Sequence, residues 1–350
     1  MPAHPNDPMG LDGFAFVEFT GPDCGAMGKT FETLGFVPAS THPTKAVTRY
    51  KQGRINLLIN AEPQGQAAEF RAAHGPSANG MAFHVKDARA AYELALERGA
   101  KAAPDCGLME PGAPALEGIG GSVLYLIDSD PFADWAPVPG AAEAEAANSV
   151  GLDLLDHLTH NVNRGEMKTW SGFYSRVFGF EEQKYFDIKG QATGLFSQAM
   201  IAPDRAIRIP LNESQDEHSQ IEEFLRQYNG EGIQHLAFTT DDIYGTVERL
   251  RARGVRLQDT IETYYELVDK RVPGHGEDLE RLRRNRILID GDVKDEGLLL
   301  QIFTEPMVGP IFFEIIQRKG NEGFGNGNFQ ALFESIELDQ IRRGVITVDG

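Results

Sequence analysis

Three polar residues, each inside an otherwise apolar stretch, are the first candidates for chemistry in this sequence. His157 lies in LLDHLTHNV, His235 in GIQHLAF and Glu314 in IFFEIIQ. Such runs predict buried strands, on which side chains two positions apart share a face. Each polar group therefore points to the side that its apolar neighbours occupy. Because an unpaired buried carboxylate is costly, Glu314 in particular needs a partner.

Two neutral imidazoles and one carboxylate on a shared divalent cation would satisfy all three groups at once. Such a set with open coordination positions is typical of non-heme Fe(II) oxygenases. From the residue types alone, the alternatives stay open: a strand histidine is often a hydrogen-bonded core residue, and a buried Glu314 could pair with Arg318 or Arg208. His160 lies three positions after His157, so it faces the other side of a strand and is excluded as a ligand.

Internal similarity indicates which elements would position the three residues. Residues 79–104 resemble residues 233–258, and setting Ala82-Phe83 on Ala237-Phe238 places Gly99 on Gly254 without a gap. Both segments predict a strand, an aspartate-containing turn, an amphipathic helix and a glycine stop. A second pair, residues 16–36 and 156–180, predicts a strand and a helix followed by Gly-Phe. Two related halves indicate gene duplication, with the boundary in residues 137–149, whose composition is typical of an exposed linker.

The two halves differ at the candidate ligands. The first-half residues opposite or near them are Phe16 for His157, Gly80 for His235 and Tyr125 for Glu314. A metal site retained in one copy and lost in the other would give this pattern. We therefore expect a metal-free domain at residues 1–140 and a metal-binding domain at residues 150–350.

The acidic balance of the chain limits its partners. Its 350 residues include 52 Asp and Glu against 33 Lys and Arg, a formal net charge of −19. This field repels nucleic acid, and an anionic substrate would need a local positive centre such as a metal ion. The N-terminus does not resemble a secretory signal, no apolar run approaches the roughly 20 residues that span a bilayer, and Cys24 and Cys106 are too few for a disulfide framework. We expect a soluble, cytoplasmic protein.

Several segments of the second half resemble, in order, the 4-hydroxyphenylpyruvate dioxygenase family: DHLTHNV, YFDIKG, IRIPLNE, GEGIQHLAF, LLLQIFTE, FFEIIQRKG and GFGNGNFQALFESIE. The first half matches more weakly. The resemblance implies an α+β vicinal-oxygen-chelate fold, with paired βαβββ modules in two domains and a C-terminal gating helix. It also implies a homodimer or homotetramer with one Fe(II) per subunit, bound by His157, His235 and Glu314. The implied reaction converts 4-hydroxyphenylpyruvate and O2 to homogentisate and CO2 in tyrosine and phenylalanine breakdown.

The same resemblance places further residues at the substrate. Those matching polar residues of the family's pocket are Ser197, Asn212, Gln220, Gln234 and Gln301, and the aromatic wall would include Phe303 and Phe312. Gln234 precedes His235 and would face the opposite side of an ideal strand. A bulge, or a role in holding His235, would reconcile the two. For each phenylalanine the alternative is ordinary core packing.

The tail that begins NEGFGNGNFQALFESIE has a pattern of its own. Its glycines predict a flexible entry, and Asn328 can cap a helix. The apolar stripe of that helix would consist of Phe329, Leu332, Phe333 and Ile336. Beyond simple docking, the segment could act as a gate that brings Phe324, Asn328 and Phe329 over the iron and excludes water.

Three other functions compete with this interpretation. A 4-hydroxymandelate synthase would use the same substrate, fold and metal but would hydroxylate the side chain. An extradiol catechol dioxygenase would need an acid–base residue near the iron, which the glutamine-rich pocket argues against. A metal-free ligand-sequestering module would leave the burial of three polar residues unexplained.

Overall fold

The described residues form two eight-stranded mixed sheets, with helices between many of the strands in chain order. The computed structural model describes residues 7–189, 194–325, 327–328 and 331. These residues divide into two compact units. The first takes its described residues from Met1–Ser149, Asp153–Leu236 and Pro306–Phe312, and the second from Val150–Leu152, Ala237–Glu305 and Phe313–Gly350. The division into domains at residues 1–140 and 150–350 stays a prediction.

The first sheet comes from the first half of the chain. Its strands are β1 (Phe14–Thr20), β2 (Val37–Thr41), β3 (Val47–Gln52), β4 (Ile55–Asn60), β5 (Ser77–His84), β6 (Ala115–Glu117), β7 (Val123–Ile127) and β8 (Ala136–Pro137). The helices are α1 (Cys24–Thr33), α2 (Gln66–His74), α3 (Ala88–Glu97) and α4 (Ala141–Asn148). Across the sheet the order is β6-β7-β5-β1-β4-β3-β2-β8. The segment from β1 to β4 with α1 is one βαβββ module.

The second sheet repeats this plan. Its strands are β9 (Leu155–Val162), β10 (Glu181–Lys189), β11 (Gly194–Ile201), β12 (Arg208–Ser214), β13 (Gly232–Thr239), β14 (Leu288–Asp292), β15 (Gly297–Phe303) and β16 (Phe312–Lys319). The helices are α5 (Met167–Phe178), α6 (Gln220–Tyr228), α7 (Ile243–Ala252), α8 (Glu262–Glu266), α9 (Val268–Arg271) and α10 (Leu279–Asn285). The strand order is β10-β11-β12-β9-β13-β16-β15-β14, which corresponds to two βαβββ modules.

The repeated segments fold as their sequences predict. Helices α3 and α7 begin after Asp87 and Asp242, and each carboxylate accepts a hydrogen bond from a backbone N–H of the first turn. Gly99 and Gly254 follow the helix ends with φ of +87° and +83°, a region that side chains with a Cβ rarely adopt. The aligned glycines therefore end both helices by the same backbone geometry.

The linker expected at residues 137–149 is only partly irregular. It contains α4, a helix with no buried residue, so the exposure agrees with the composition. The sequence AAEAEAAN has high helix propensity. Glu145 also fixes the helix, because its carboxylate accepts hydrogen bonds from the Lys51 ammonium and the Gly53 backbone N–H. Among the described helices, none is long and apolar enough to cross a membrane.

Candidate metal centre

Three buried side chains from three strands converge on one point. His157 on β9, His235 on β13 and Glu314 on β16 are 2%, 9% and 3% exposed. Each offers a ligand atom, and these atoms lie within 4.8 Å of one another. The two imidazole rings are 5.6 Å apart between centroids and inclined at 77°. The structure thus brings together the three candidates identified on separate strands.

Each imidazole is held through its Nδ1 atom. The Asp156 carboxylate lies 2.8 Å from Nδ1 of His157, and the Gln234 amide oxygen lies 2.9 Å from Nδ1 of His235. Because both contacting atoms are acceptors, each Nδ1 carries the proton and Nε2 is the atom that can bind a metal. The predicted pocket residue Gln234 therefore contacts the ring of its neighbour.

The two anchors differ in charge. Asp156 is 3% exposed, and its other carboxylate oxygen lies 3.7 Å from the Arg208 guanidinium. Gln234 offers His235 a neutral acceptor of similar geometry. A carboxylate behind an imidazole increases its basicity more than an amide does, so the two candidate ligands have different donor strengths.

Glu314 has its own anchor in Gln301. Phe303 on β15 pairs with Glu314 on β16, so their side chains share a face, and Gln301 lies on the same face two positions earlier. The Gln301 side-chain N–H donates to the Glu314 carboxylate at 3.2 Å. Gln301 is 2% exposed, whereas Phe303 is half-buried.

A row of polar residues lies beside the His157 strand. Ser197 on β11 opposes Asn212 on β12, and Asn212 in turn pairs with Asn161 on β9. Asn161 shares the strand face of His157 by alternation. It is fully buried, and neither amide atom has a hydrogen-bond partner among the described residues. Asn161 is not among the residues predicted from the sequence, although its position four residues after His157 could have indicated it.

His160 lies on the other face of β9, as the alternation predicts. Its Nε2 atom lies 2.8 Å from the Tyr174 hydroxyl on α5, on the side that the helix covers. Burial lowers the pKa of His160 to about 3, so the ring is neutral at pH 7. His160 is a core residue and contributes no ligand to the centre.

The predicted aromatic and gate residues occupy different environments. The Phe312 ring stacks on His235 with centroids 4.8 Å apart, and the Arg318 guanidinium lies 5.9 Å from the Phe324 ring centre. Asn328 is 2% exposed, and its amide nitrogen donates to the Gln301 amide oxygen at 3.1 Å. Phe329 and the rest of the expected apolar stripe, Leu332, Phe333 and Ile336, lie outside the described residues.

Gln220 is more exposed than the other predicted polar pocket residues. It is the first residue of α6, immediately after the Ser219 cap, and it is exposed. Its role at the substrate stays a prediction.

The first half fills the space that corresponds to the metal centre. A Cβ at Gly80 would lie 2.9 Å from the Tyr125 ring and 3.2 Å from the Glu18 carboxylate, so these two side chains occupy the place of an imidazole. The Tyr125 hydroxyl donates to Glu18 at 2.6 Å, and amide groups of Asn60 and Asn79 donate to the same carboxylate. This half binds its buried acid with protein donors instead of a cation.

A cavity of about 770 Å³ opens in the first unit, where Phe16, His42, Leu108 and Trp135 contribute to its walls. None of the predicted site residues lines it. The location of the chemistry therefore rests on the donor set and not on cavity size.

The donor set of His157, His235 and Glu314 fits a divalent transition metal. Neutral imidazole nitrogens and a carboxylate oxygen are suitable ligands for iron, zinc and related ions at about 2.1 Å. Ligand atoms within 4.8 Å of one another can reach such distances through small side-chain rotations. Three protein ligands leave further coordination positions, the feature that distinguishes a catalytic site from a structural one.

Comparison with known proteins covers both halves. Residues 5–134 match the family model described as "Hydroxyphenylpyruvate dioxygenase, HPPD, N-terminal", and residues 154–267 match "Glyoxalase/Bleomycin resistance protein/Dioxygenase superfamily". The chain is 55% identical over 350 residues to a 4-hydroxyphenylpyruvate dioxygenase of Pseudomonas aeruginosa, covering 97% of this chain and 98% of that protein. It is 55% identical over 349 residues to hemolysin VllY of Vibrio vulnificus, with the same coverage.

Among solved structures, a mutant of 4-hydroxymandelate synthase from Streptomyces coelicolor is similar with a TM-score of 0.80 and 29% identity. The match covers 95% of this chain and 100% of the synthase chain. Together with the superfamily match, this likeness confirms the predicted α+β fold of the vicinal-oxygen-chelate type.

Proposed function

The chain belongs to the family of 4-hydroxyphenylpyruvate dioxygenases, and from this premise we propose that it converts 4-hydroxyphenylpyruvate and O2 to homogentisate and CO2. We propose that one Fe(II) per subunit, bound by His157, His235 and Glu314, is the catalytic metal. The family also places the reaction in tyrosine and phenylalanine catabolism.

The observation that carries the proposal is the buried cluster of two imidazoles and one carboxylate. The first half, built on the same plan, has non-ligand residues at the aligned positions. Three buried ligand atoms within 4.8 Å of one another can all bind a single divalent cation, which supports the proposal.

When bound, Fe(II) would supply open coordination positions for the oxygens of a 2-oxo acid and for O2, while the electrons that reduce O2 would come from decarboxylation and hydroxylation of the substrate. The protein's part is to hold its ligands in one orientation. Asp156 and Gln234 fix the tautomer and the rotation of the two imidazoles through their Nδ1 atoms. Gln301 fixes the orientation of the Glu314 carboxylate by donating a hydrogen bond to one of its oxygens.

Substrate orientation would come from the polar row beside His157. Ser197, Asn212 and Asn161 present uncharged donors and acceptors, which suit a phenol or a carbonyl group. The buried amide of Asn161 has no hydrogen-bond partner among the described residues, so a hydrogen bond from this amide to the substrate would favour substrate binding. Phe303 and Phe312 would pack against the aromatic ring of the substrate.

Exclusion of water would fall to the C-terminal segment. Phe324 precedes the predicted gating helix, Asn328 is already helical instead of capping it, and Asn328 is buried against Gln301. We propose that this segment, with Phe329, closes the site during turnover and protects reactive oxygen species from side reactions.

The proposal is tested by product analysis. Protein reconstituted anaerobically with Fe(II) should consume 4-hydroxyphenylpyruvate and O2 in equal amounts and release homogentisate, identified by mass and NMR. Omission of the metal should abolish turnover. Turnover of the metal-free protein at the same rate would contradict a metal-dependent reaction.

A second candidate function is 4-hydroxymandelate synthesis, which the likeness to the Streptomyces coelicolor structure favours. The same assay separates the two, because homogentisate carries its new hydroxyl group on the ring and hydroxymandelate carries it on the side chain. The 55% identity to the Pseudomonas aeruginosa dioxygenase favours homogentisate.

Family membership also supports two statements about the assembled protein. We propose a homodimer or homotetramer with no nucleic-acid or membrane partner, located in the cytoplasm. Light scattering after size-exclusion chromatography distinguishes these assemblies from a 38.5 kDa monomer.

A further inference from the structure

A continuous chain of hydrogen bonds ends on the candidate ligand Glu314. The Gln301 amide nitrogen donates to Glu314 at 3.2 Å, and the Asn328 amide nitrogen donates to the Gln301 oxygen at 3.1 Å. The Tyr264 hydroxyl donates to the Asn328 oxygen at 2.6 Å. The Arg271 guanidinium donates to the Tyr264 oxygen, also at 2.6 Å. The chain therefore runs from a cation to a carboxylate.

The two ends fix the direction of every link. A guanidinium can only donate, and an ionised carboxylate can only accept. The Tyr264 oxygen accepts from Arg271 and from the Ile289 backbone N–H at 2.9 Å, and it has one proton to give. That proton serves the 2.6 Å contact with Asn328, which is shorter than the 3.1 Å contact with the Ile289 carbonyl.

The orientation of both amides follows from this direction. Asn328 turns its oxygen to Tyr264 and its nitrogen to Gln301, which in turn gives its nitrogen to Glu314. An inverted Gln301 amide would place its oxygen against the carboxylate, and two acceptors would then face each other. The direction of the hydrogen bonds from Arg271 to Glu314 therefore excludes the inverted Gln301 amide.

Burial strengthens the hydrogen bonds that link Arg271 to Glu314. Tyr264, Asn328, Gln301 and Glu314 are between 0% and 3% exposed, so water competes little with the links. Burial raises the pKa of Tyr264 to about 12, which keeps its proton in place at neutral pH. Hydrogen bonds in series polarise one another in such surroundings. Arg271 lies at the outer end, with its side chain 19% exposed.

Gly325 supports the same arrangement by close approach. A Cβ at this position would lie 1.5 Å from the Gln301 amide oxygen, and the backbone φ of +72° is in the glycine-favoured region. The nearby Gly327 donates its N–H to Asp290, whose carboxylate lies 3.8 Å from the Arg271 guanidinium. Two contacts therefore hold the backbone that precedes Asn328, one from Gly325 to Gln301 and one from Gly327 to Asp290.

We propose that Arg271 and Tyr264 are positioning residues that, through Asn328 and Gln301, hold the Glu314 carboxylate in the orientation that binds the metal. Neither residue contacts the candidate ligands directly. The inference rests on the proposed function, because it takes Glu314 as a ligand of the catalytic iron. It assigns the docked segment around Asn328 a second role besides closure, namely support of the metal ligand.

The test is Tyr264→Phe in the full-length, Fe(II)-loaded protein. The measurement is the rate at which excess chelator removes Fe(II), together with kcat and KM. We expect release to become about tenfold faster and kcat to fall with little change in KM, since loss of outer support typically costs 10–100-fold. The matched control is Tyr265→Phe, because Tyr265 is the adjacent residue, is 2% exposed, and its hydroxyl forms no hydrogen bond to Arg271, Asn328 or any other described residue. It should release iron at the wild-type rate.

A double-mutant cycle separates positioning from general stabilisation. In an Asn328→Ala background the link to Gln301 is already broken, so Tyr264→Phe should cause no further increase in iron release. A Tyr264 that merely stabilises the fold would give an additive effect in that background. Arg271→Met, at the partly exposed end, provides the same comparison if the tyrosine variant does not fold.

The outcomes distinguish this inference from the proposed function. Additive effects, or release from Tyr264→Phe and Arg271→Met within twofold of wild type, would overturn the positioning role while wild-type homogentisate production stands. Wild-type protein that retains Fe(II) but forms no homogentisate would refute the proposed function alone. Non-additive release would still support the link to Glu314 in that case.

Discussion

Replacement of Asp156 by asparagine changes the charge behind one metal ligand with little change in shape. The Asp156 carboxylate lies 2.8 Å from Nδ1 of His157 and is 3% exposed. Asparagine keeps an oxygen that can accept from the same N–H. The substitution therefore isolates the effect of the negative charge on the basicity of the His157 imidazole and on metal affinity.

The size of the effect follows from the strength of the contact. A hydrogen bond to a charged group contributes about 1.5–3 kcal/mol and a neutral one about 0.5–1.5 kcal/mol. Loss of the charge should thus weaken metal binding by roughly 1.4 kcal/mol, which raises Kd about tenfold. The Asp156 carboxylate also compensates the positive charge of the Arg208 guanidinium 3.7 Å away. Without that compensation the Arg208 charge would repel the metal ion, so this effect too weakens metal binding.

The assay is anaerobic titration of metal-free protein with Fe(II) in competition with a chromogenic chelator. The control is Asp153→Asn, three residues earlier, where the carboxylate is 45% exposed and pairs with Arg54 on the surface. This variant should bind Fe(II) with the wild-type Kd. A Kd for Asp156→Asn within twofold of wild type, or an equal shift in both variants, would refute the anchoring role of Asp156.

Three further predictions follow from single contacts. Asn161→Leu removes a buried, unpaired amide, so it should raise the free energy of unfolding by about 1–2 kcal/mol in urea while raising KM several-fold; unchanged KM would exclude substrate contact. Gly325→Ala should lower kcat about tenfold in steady-state assays, because the new Cβ would displace the Gln301 amide; wild-type kcat would contradict this. Burial raises the pKa of Glu18 above its ordinary 4.5, so its contribution to stability is greatest below pH 4.5 and is lost as pH rises through the folded-state pKa. Glu18→Gln should remove that slope in urea unfolding between pH 4 and 8, and an unchanged slope would assign it elsewhere.

The sequence predicts most of the fold because its local patterns are consistent. The run GLLLQIF is strand β15 from end to end, and the aligned glycines Gly99 and Gly254 end matching helices. The composition of residues 137–149 indicates an exposed segment but does not reveal helix α4, which the sequence AAEAEAAN forms there. Composition reports a segment's average, whereas helix formation depends on the order of its residues.

The candidate ligands could be predicted, but much of their support could not. Strand alternation and the repeat indicate His157, His235 and Glu314, since each breaks an apolar pattern. Tyr264 and Arg271 break no pattern, and their connection to Glu314 depends on packing between distant segments. The orphaned amide of Asn161 likewise becomes visible only when every neighbouring donor and acceptor is placed.

The most direct test of the central claim is the iron content per chain of ligand variants, measured by elemental analysis after Fe(II) reconstitution. Wild type should bind one iron, whereas His157→Ala, His235→Ala and Glu314→Ala should each bind almost none and lose turnover. His160→Gln, on the opposite face of the same strand as His157, should retain the iron. Full iron content and activity in any of the three ligand variants would contradict the centre described above.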